Sequence, residues 1–380
     1  MSAVARSIDC SNEPVLFVAL ELSDATWKVA SSVEPAQKPR IKNVKGGDID
    51  ALMKELGRAK KKFGLAEDAQ VVSVYEAGRE GFWIHRSLEA EGVRNIVIDP
   101  ASVQVNRRKR RRKTDRLDVL RLLSNLMRWW SGEQKVWSVV EVPGVEDEDA
   151  RHFHREWQTL KDERTAHTNR IKGLLKLHGI RVTRIGKEFA SQLGEFRLKD
   201  GSPLPPQLRQ RLERECDRLA VLEEQIRLLE RQRREALRSS DDERIEKVRR
   251  LIQCRGVGPI SAWVVVMELL AWRTFRNRRQ IASLVGLTGT PSDSGNDEHE
   301  QGIDKAGNAR VRSVMIELAW SWVRWQPNSN ITLWFNRKFG AGGKRHRRVG
   351  IVGVARRLLI ALWRYVEQGV DPSGAIIFKS

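Results

Sequence analysis

The sequence has few features of secreted or membrane proteins. Only three of its 380 residues are cysteines, Cys10, Cys216 and Cys254. Their wide separation argues against a disulfide scaffold or a zinc site. No run of about 18 apolar residues is present that could span a bilayer, and the N-terminal segment lacks the apolar core of a secretory signal. We therefore expect a cytoplasmic protein with no membrane partner.

Acidic residues are scarce relative to basic ones. The chain has 69 Lys and Arg against 49 Asp and Glu, a formal net charge of +20. Apolar residues make up 40% of the chain, which is enough to form hydrophobic cores and excludes wholesale disorder. Such an excess of positive charge is typical of proteins that bind a polyanion, and it indicates nucleic acid. A ribosome-associated or non-specifically basic protein is the alternative.

Two dense basic clusters account for part of this charge. Because like charges repel one another and rarely pack, we expect both clusters on loops or helix starts that contact phosphates. A nuclear or solubility signal is the alternative, but apolar sequence flanks both clusters. The predicted phosphate contacts are Arg107, Arg108, Lys109, Arg110, Arg111, Arg112 and Lys113 in the first cluster and Lys344, Arg345, Arg347 and Arg348 in the second.

The hydrophobic pattern divides the chain into three segments, 1–150, 151–250 and 251–380. In the first, apolar runs of strand length alternate with stretches of helical spacing. This order predicts an α/β layer with a mainly parallel or mixed sheet. The predicted strands are Val15–Leu22, Gln70–Tyr75 and Asn95–Ile98, and the predicted helices are Ile49–Lys62 and Gly81–Glu91.

The second segment carries a heptad pattern. We expect a long helical hairpin or coiled coil, formed within one chain or used to dimerise, with a helical bundle as the alternative. The first helix covers roughly 150–178, and the prolines of Ser202–Pro206 precede the second. The apolar seam of the second helix is Leu208, Leu212, Cys216, Leu219, Leu222, Ile226 and Leu229.

The third segment is predicted to be compact and mostly helical. It is rich in tryptophan, and we expect most of these side chains in the core and one or two on the surface, where they could stack on bases. Near its start, Gly256 and Gly258 lie in a turn typical of a helix-hairpin-helix motif. Backbone N–H groups in such a turn bind phosphate without sequence preference, although an ordinary glycine helix cap is the alternative.

Four carboxylates in the first segment have a shared context. Glu21 and Glu76 each end a predicted strand, and Asp115 and Asp118 lie three residues apart on a predicted helix. If the two strands are neighbours, their C-terminal ends meet at one edge of the sheet. Four oxygen donors there suit one or two Mg²⁺ ions acting on a phosphodiester. Solvated or ion-paired carboxylates are the alternative for each residue taken alone.

A polar stretch at 284–312 contains two candidate nucleophiles, Ser292 and Ser294. Ser294 precedes a glycine, and Lys305, Arg310 and Arg312 follow at positions from which they could hold phosphate oxygens. A serine hydroxyl becomes a nucleophile when a base or a metal activates it. Taken alone, the pattern is more typical of a flexible polar loop than of a catalytic serine.

Taken together, the motifs resemble those of the DEDD transposases of insertion sequences, whose recombinase is guided by a structured bridge RNA. The resemblance covers nearly the whole chain. The matching segments, in order, are Val18–Ser23, Val74–Gly78, Lys113–Leu123, Asn169–Leu175, Cys254–Ala262, Phe275–Leu287, Pro291–Gly295, Ile303–Arg312 and Val354–Trp363.

The resemblance implies a RuvC-like, RNase H-type nuclease domain, a coiled coil and a helical transposase domain. It implies that Glu21, Glu76, Asp115 and Asp118 hold Mg²⁺ and that Ser294 attacks DNA to form a covalent phosphoserine. It also implies a composite active site in a dimer or tetramer, with donor DNA, target DNA and bridge RNA as partners. The family's first acid is usually Asp, so either Glu21 or Asp24 fills that position, and Ser292 stays an alternative to Ser294.

Two other functions are compatible with these residues. A Holliday-junction nuclease would use the four acids to hydrolyse DNA with water and would need no serine. A non-catalytic protein would only bind or bridge nucleic acids through its basic surface. All three functions predict salt-dependent binding, so affinity alone does not separate them.

Overall fold

The computed structural model describes residues 14–103, 115–133, 135–186, 188–294 and 297–378, with the backbone alone described from 290 to 301. The chain divides into two compact units, 1–142 and 143–380. The predicted second and third segments both fall in the second unit, and the boundary between them stays a prediction. Within the described ranges no helix is both long and apolar enough to cross a membrane.

The first unit is built on a five-stranded mixed sheet, which confirms the α/β prediction. The strand order is β3-β2-β1-β4-β5. Strands β1, β2 and β3 pair antiparallel, whereas β1 pairs parallel with β4 and β4 parallel with β5. The strands are β1 (Leu16–Glu21), β2 (Thr26–Ser32), β3 (Arg40–Lys45), β4 (Val71–Glu76) and β5 (Arg94–Ile98).

Helices cover both faces of this sheet. Because successive side chains of a strand point to opposite faces, β1 packs Leu16, Val18 and Leu20 on one side and Phe17 and Ala19 on the other. Helices α1 (Ile49–Lys62) and α2 (Trp83–Ala90) cover the first face, and α3 (Asp115–Trp130) covers the second. A short 3₁₀ turn, Pro100–Ser102, follows β5.

Two elements of this unit were absent from the sequence prediction. The three strands and three helices predicted for it, including the helix of Asp115 and Asp118, are all present, whereas β2 and β3 are not predicted by the sequence pattern. Strand β3 lies at the sheet edge and buries only one of its six residues, Val44, so its sequence has no apolar run. The short connection after β1 returns the chain antiparallel before the first helix begins.

The second unit begins with two long helices that pack against each other within one chain. They are α4 (Val145–Leu177) and α6 (Pro206–Ser239), and the short α5 (Phe189–Gln192) lies between them. The predicted seam is confirmed as the buried face of α6, with Leu208 half-buried; supercoiling and a dimeric role stay predictions. The buried seam residues are Leu212, Cys216, Leu219, Leu222, Ile226 and Leu229.

The remaining part of the second unit is mostly helical, as predicted. The long helices Ala309–Trp325 and Lys344–Gln368 form the centre of its core, and Trp263, Trp322 and Trp363 are buried there. A two-stranded hairpin interrupts the helices. The elements are α7 (Glu243–Ile252), α8 (Pro259–Val265), a π-helical turn (Val266–Leu270), α9 (Arg278–Leu284), β6 (Gly289–Ser294), β7 (Asp297–Ile303), α10 (Ala309–Trp325), α11 (Asn330–Phe339) and α12 (Lys344–Gln368).

Two of the cysteines are buried free thiols. Cys216 lies on the α6 seam, and Cys254 is fully buried beside the C-terminal tail. Burial raises the pKa of the Cys254 thiol to about 12, so this thiol is protonated at neutral pH. Both side chains therefore serve as small apolar core residues.

The packing of α4 and α6 predicts a position-dependent cost of truncating side chains. Leu212 is fully buried between the two helices, so Leu212→Ala should lower the free energy of unfolding by about 2 to 5 kcal/mol. Urea denaturation followed by tryptophan fluorescence measures this loss.

Val221→Ala on the same helix is the matched control. Val221 is 59% exposed, so this substitution should change stability by no more than about 0.5 kcal/mol. Equal effects of the two substitutions would contradict packing of α4 against α6 along the predicted seam.

Candidate active site and nucleic-acid interface

Two of the predicted acidic residues lie at one edge of the sheet. The parallel register aligns Leu20 with Tyr75, so the residues that follow, Glu21 and Glu76, end neighbouring strands side by side. They border a cleft of about 200 Å³ formed by residues 20–24 and 76–80. The sheet thus brings together the first two predicted acids, as the sequence indicated.

A lysine connects this edge to the third acid. Lys28 is paired across the sheet with Glu21, and its Nζ atom lies 3.6 Å from Oδ2 of Asp115 at the start of α3. The alternation of side chains along the strands places Glu21, Lys28 and Glu76 on the face that α3 covers. Sequence reasoning missed Lys28 because β2 was not foreseen and a single lysine carries no signal of its own.

The fourth acid, Asp118, lies one turn further along α3. Its side chain is 18% exposed and forms an ion pair of 3.3 Å with Arg121, whereas the side chain of Asp115 is 77% exposed. The alternative first acid, Asp24, lines the same cleft as Glu21 and pairs with Arg79 at 3.2 Å. Its exposed position beyond the strand end leaves Glu21 and Asp24 both available as the first acid.

The chemistry of this donor set fits a hard cation. Carboxylate oxygens are the ligands that Mg²⁺ prefers, and all four acids lie on the same face of the sheet or on the helix that covers it. Over the part of the chain that the structure describes, no three His, Cys, Asp or Glu side chains are grouped closely enough to hold a metal ion. Lys28, which is opposite Glu21 on the neighbouring strand, forms an ion pair with Asp115 and so places a positive charge beside these carboxylates.

The predicted serines lie on a β-hairpin rather than in an irregular loop. Ser294 is the last residue of β6 and is in register with Asp297, the first residue of β7, while Ser292 is in register with His299. The two strands form a separate sheet from that of the first unit. Both serines therefore occupy defined backbone positions within a strand.

The base of this hairpin is closely packed. Gly286 and Gly307 have positive φ angles of 64° and 79°, and a Cβ atom on either would come within about 2 Å of a backbone oxygen on the opposing segment. Arg312 donates hydrogen bonds to the carbonyl oxygens of Val285 (3.0 Å) and Ala306 (3.2 Å). Arg312, predicted to bind phosphate, here binds backbone, whereas Lys305 is exposed.

A buried carboxylate joins this hairpin base to the long helix α4. Glu268, in the π-helical turn, accepts hydrogen bonds from Arg155 Nε (2.8 Å) and Nη2 (2.9 Å) and from His154 Nε2 (2.8 Å). It also accepts one from Asn308 Nδ2 (3.1 Å), and Arg310 Nε lies 3.7 Å away. Asn308 in turn caps α10 by accepting from the Val311 N–H.

The electrostatics of this network follow from its hydrogen bonds. Burial by itself raises the pKa of Glu268, but the hydrogen bonds from His154 and Arg155 and the charge of Arg155 lower it more, so the pKa lies far below the usual carboxyl range. Burial lowers the pKa of His154, which keeps its imidazole neutral at pH 7. No local sequence pattern indicates the role of Glu268, because its partners lie 40 to 114 residues away.

The glycine turn at 256–258 packs against α10. Gly256 has a φ of 88°, its carbonyl oxygen accepts a hydrogen bond from Ser321 Oγ (2.7 Å), and a Cβ atom there would lie 3.1 Å from Cβ of Trp325. Gly258 caps α8, which is seven residues long. Gly256 is thus required for close packing, and phosphate binding by either glycine stays a prediction.

Two tryptophans of the third segment lie at the surface, where they could stack on bases. Trp320 and Trp325 on α10 are 42% and 43% exposed, while Trp322 between them is buried. The guanidinium groups of Arg255 and Arg324 lie 5.5 and 5.2 Å from the Trp325 ring. Exposed aromatic rings flanked by arginines are typical of surfaces that stack on bases.

The second basic cluster forms the start of α12. Residues 344–348 are exposed, and no acidic residue lies in the first turn of this helix. Positive side chains at a helix N-terminus are repelled by the helix dipole, so an external anion would stabilise them. The first cluster, 107–113, lies outside the described residues.

The chain is similar to a family model and to several proteins that are named as transposases. A family model described as Transposase IS116/IS110/IS902 family matches residues 248–332. The chain is 38% identical over 374 residues to y4rJ of Sinorhizobium fredii, named as a transposase, covering 95% of this chain and 94% of the relative. It is 31% identical over 232 residues to a family 20 transposase of Pseudomonas aeruginosa, covering 60% and 66%.

A further relative is named for its mobile element. The chain is 27% identical over 190 residues to the transposase for insertion sequence element IS1111A of Coxiella burnetii, with half of each chain covered. The segment matched by the family model contains the glycine turn, Glu268 and the hairpin that carries Ser294. The matched segment therefore includes Glu268 and the candidate nucleophile, whereas His154 and Arg155 of the buried network lie outside it.

The Glu268 network predicts an acid-dependent loss of stability. Because the folded pKa is depressed, the ionised carboxylate stabilises the fold at neutral pH, and this contribution falls as pH drops below about 4.3, the unfolded pKa. Glu268→Gln should lower the free energy of unfolding at pH 7 by about 3 to 5 kcal/mol. Denaturation curves from pH 7 to pH 3 should show this difference shrinking with acidity.

Glu195→Gln at an exposed position is the control for the loss of one negative charge. It should change stability by at most about 0.5 kcal/mol across the same range. A Glu268→Gln deficit that did not shrink on acidification would contradict the role of the ionised carboxylate.

Proposed function

The chain belongs to the IS116/IS110/IS902 family of transposases, and we propose that it is the recombinase that cuts and rejoins DNA when an insertion sequence moves. Similarity to y4rJ over nearly the full length of both chains supports this function more than any other observation. Its substrates are donor and target DNA. The net charge of +20 suits a protein that contacts several phosphate backbones at once.

The first unit acts as a RuvC-like nuclease domain. The mixed sheet, with Glu21 and Glu76 at the ends of its adjacent parallel strands and Asp115 on the covering helix, supports this assignment. Glu21, Glu76, Asp115 and Asp118 would hold Mg²⁺, which supplies Lewis acidity toward a phosphodiester oxygen. Lys28 orients the carboxylate of Asp115 toward the same edge and balances part of the acidic charge.

Ser294 is the nucleophile in this proposal. Its Oγ attacks the phosphorus of a DNA phosphodiester, so that a P–O(Ser) bond forms while the bond from phosphorus to one deoxyribose oxygen breaks. The serine proton passes to a base, and the leaving oxygen takes up a proton as a hydroxyl. Because one phosphoester replaces another, attack of a new DNA hydroxyl reverses the step and rejoins the strand.

The serine and the acids belong to different units of the chain, which suits a composite active site in a dimer or tetramer. A structured bridge RNA selects the DNA sequence by base pairing, a division of labour known in other guided systems. The exposed basic start of α12 and the exposed Trp320 and Trp325 offer phosphate and base contacts for such partners. RNA that copurifies with the protein and maps beside its gene would support this guide.

The serine step predicts a specific effect of one hydroxyl. Ser294→Ala should abolish strand exchange and the covalent protein–DNA adduct, because no other group then receives the phosphoryl group. Denaturing gel electrophoresis of labelled DNA measures the adduct, and a plasmid assay measures exchange.

Ser292→Ala, two residues earlier on the same strand, is the matched control and should keep both activities. Continued cleavage by Ser294→Ala without an adduct would identify a nuclease that hydrolyses with water. Normal recombination by Ser294→Ala would exclude Ser294 as the nucleophile, and loss of both activities in Ser292→Ala would assign the attack to Ser292.

The acidic edge predicts dependence on both carboxylates and Mg²⁺. Asp115→Asn combined with Asp118→Asn should reduce cleavage by about 10²-fold or more, as should chelation of Mg²⁺. Glu80→Gln removes a carboxylate from the same cleft and should leave the rate unchanged. Unchanged cleavage in the Asp115/Asp118 variant would refute the metal site, and intact function without any cleavage would indicate a protein that only binds nucleic acid.

A further inference from the structure

The second unit contains a cavity that the proposed reaction does not use. It has a volume of about 330 Å³ and lies between the starts of α9 and α11, one face of α12 and the C-terminal tail. Its size is at the lower end for pockets that bind small organic ligands. The cavity therefore has room for one ligand of modest size, and not for a helix or a duplex.

Three arginines surround the cavity. Arg278 begins α9, while Arg357 and Arg364 lie on α12. The lining positions of α12, at 357, 360, 361 and 364, are separated by steps of three or four residues and so share one helical face. All three arginines are exposed at the rim. The helix thus presents two guanidinium groups toward the same cavity.

These arginines lack the ion pairs that several other arginines of the second unit form. Arg155, Arg170, Arg218, Arg244 and Arg249 each form an ion pair with a carboxylate. Among the described residues, by contrast, no carboxylate lies within ion-pair distance of Arg278, Arg357 or Arg364. Asp371 is the acidic residue in the cavity wall. The rim therefore carries positive charge that is not neutralised by direct ion pairs.

The position of Arg357 is determined by an aromatic ring. Its guanidinium lies 4.1 Å from the centre of the Trp334 ring. Trp334 packs so closely on α12 that a Cβ atom at Gly353 would lie 2.9 Å from it. Stacking of this kind holds a guanidinium in one plane while leaving its edge free to donate hydrogen bonds. Arg357 is thus oriented before any ligand binds.

The tail closes the cavity with defined contacts. Gly369 ends α12 with a φ of 70°. The tail then returns to α11, where Asn330 donates through its backbone N–H to the Ser373 carbonyl (3.0 Å) and through Nδ2 to Ser373 Oγ (2.8 Å). Apolar side chains form much of the lining, namely Ile331, Ile360, Ala361, Val370 and Pro372.

From this arrangement we propose that the cavity binds one unpaired nucleotide, with its base on the apolar lining and its phosphate on the arginine rim. Guanidinium groups bind phosphate oxygens through paired N–H donors, and an apolar lining disfavours a small hydrated anion. A base stacked in a duplex cannot enter, so the nucleotide belongs to a single strand or is extruded from a helix. The inference rests on the proposed function, since it takes nucleic acid as the ligand.

The test compares full-length proteins in fluorescence anisotropy. The probes are labelled oligothymidine and oligouridine of about 12 nucleotides and a DNA duplex of the same length. Ala361→Phe fills the cavity without changing charge and should weaken single-strand binding about tenfold, within the range of one lost base contact. Arg357→Gln combined with Arg364→Gln should weaken it at least as much, and duplex binding should change far less with Ala361→Phe.

The control is Arg211→Gln combined with Arg214→Gln, which removes two charges from exposed positions of α6. Loss of binding to oligothymidine alone identifies a DNA strand as the occupant, loss for oligouridine alone identifies RNA, and loss for both identifies a nucleotide of either kind. Each result supports the proposal when circular dichroism and thermal melting show that the variants are folded.

Three results would overturn it. These are unchanged single-strand affinity of Ala361→Phe, equal losses in the pocket and control arginine variants, and equal losses for single-stranded and duplex probes. Failure of the proposed recombinase function is detected separately, because it appears in the strand-exchange assay with Ser294→Ala and not in the affinity of these probes.

Discussion

The second unit depends on one buried negative charge. Glu268 has a side chain that is 1% exposed, and an isolated carboxylate in such a place would be strongly destabilising. Two hydrogen bonds from Arg155 and one each from His154 and Asn308 compensate for the lost water. The compensation requires three distant segments to meet, so the carboxylate defines how α4, the π-helical turn and the hairpin base fit together. The π-helical geometry occurs where this carboxylate enters the core, and such irregular turns are frequent at functional sites.

The first unit shows a different constraint, which is the topology of its sheet. Parallel pairing of β1 with β4 brings two strand ends together whatever the loops between them contain. Glu21 and Glu76, which end these strands, are therefore neighbours. Helix α3, which covers the same face of the sheet, carries Asp115 and Asp118. The antiparallel return of β2 contributes Lys28 to that face. A site assembled in this way depends on register, since a shift of one residue would turn the acids to the opposite face.

Much of this could be predicted from local patterns. Short apolar runs identified β1, β4 and β5, and spacing identified α1 and the seam of α6, because burial imposes period two on strands and a heptad on paired helices. Strands β2 and β3 contain lysine or arginine and therefore lack the apolar runs from which strands are predicted. The residues around Ser294 are polar, so their pattern predicts an irregular loop and not the hairpin that the structure contains. The roles of Glu268, Lys28 and the arginine rim could not be predicted, because they depend on contacts between residues that are far apart in the sequence.

Among the residues that the structure describes, the hairpin that carries Ser294 consists of two strands and joins no larger sheet. A ribbon of this kind is marginally stable by itself in water. Under the proposed serine mechanism, Ser294 at the end of β6 would be held accurately only where other parts of a DNA-bound assembly support the ribbon. This would act as a restraint, because an isolated protomer would be poorly equipped to cut DNA.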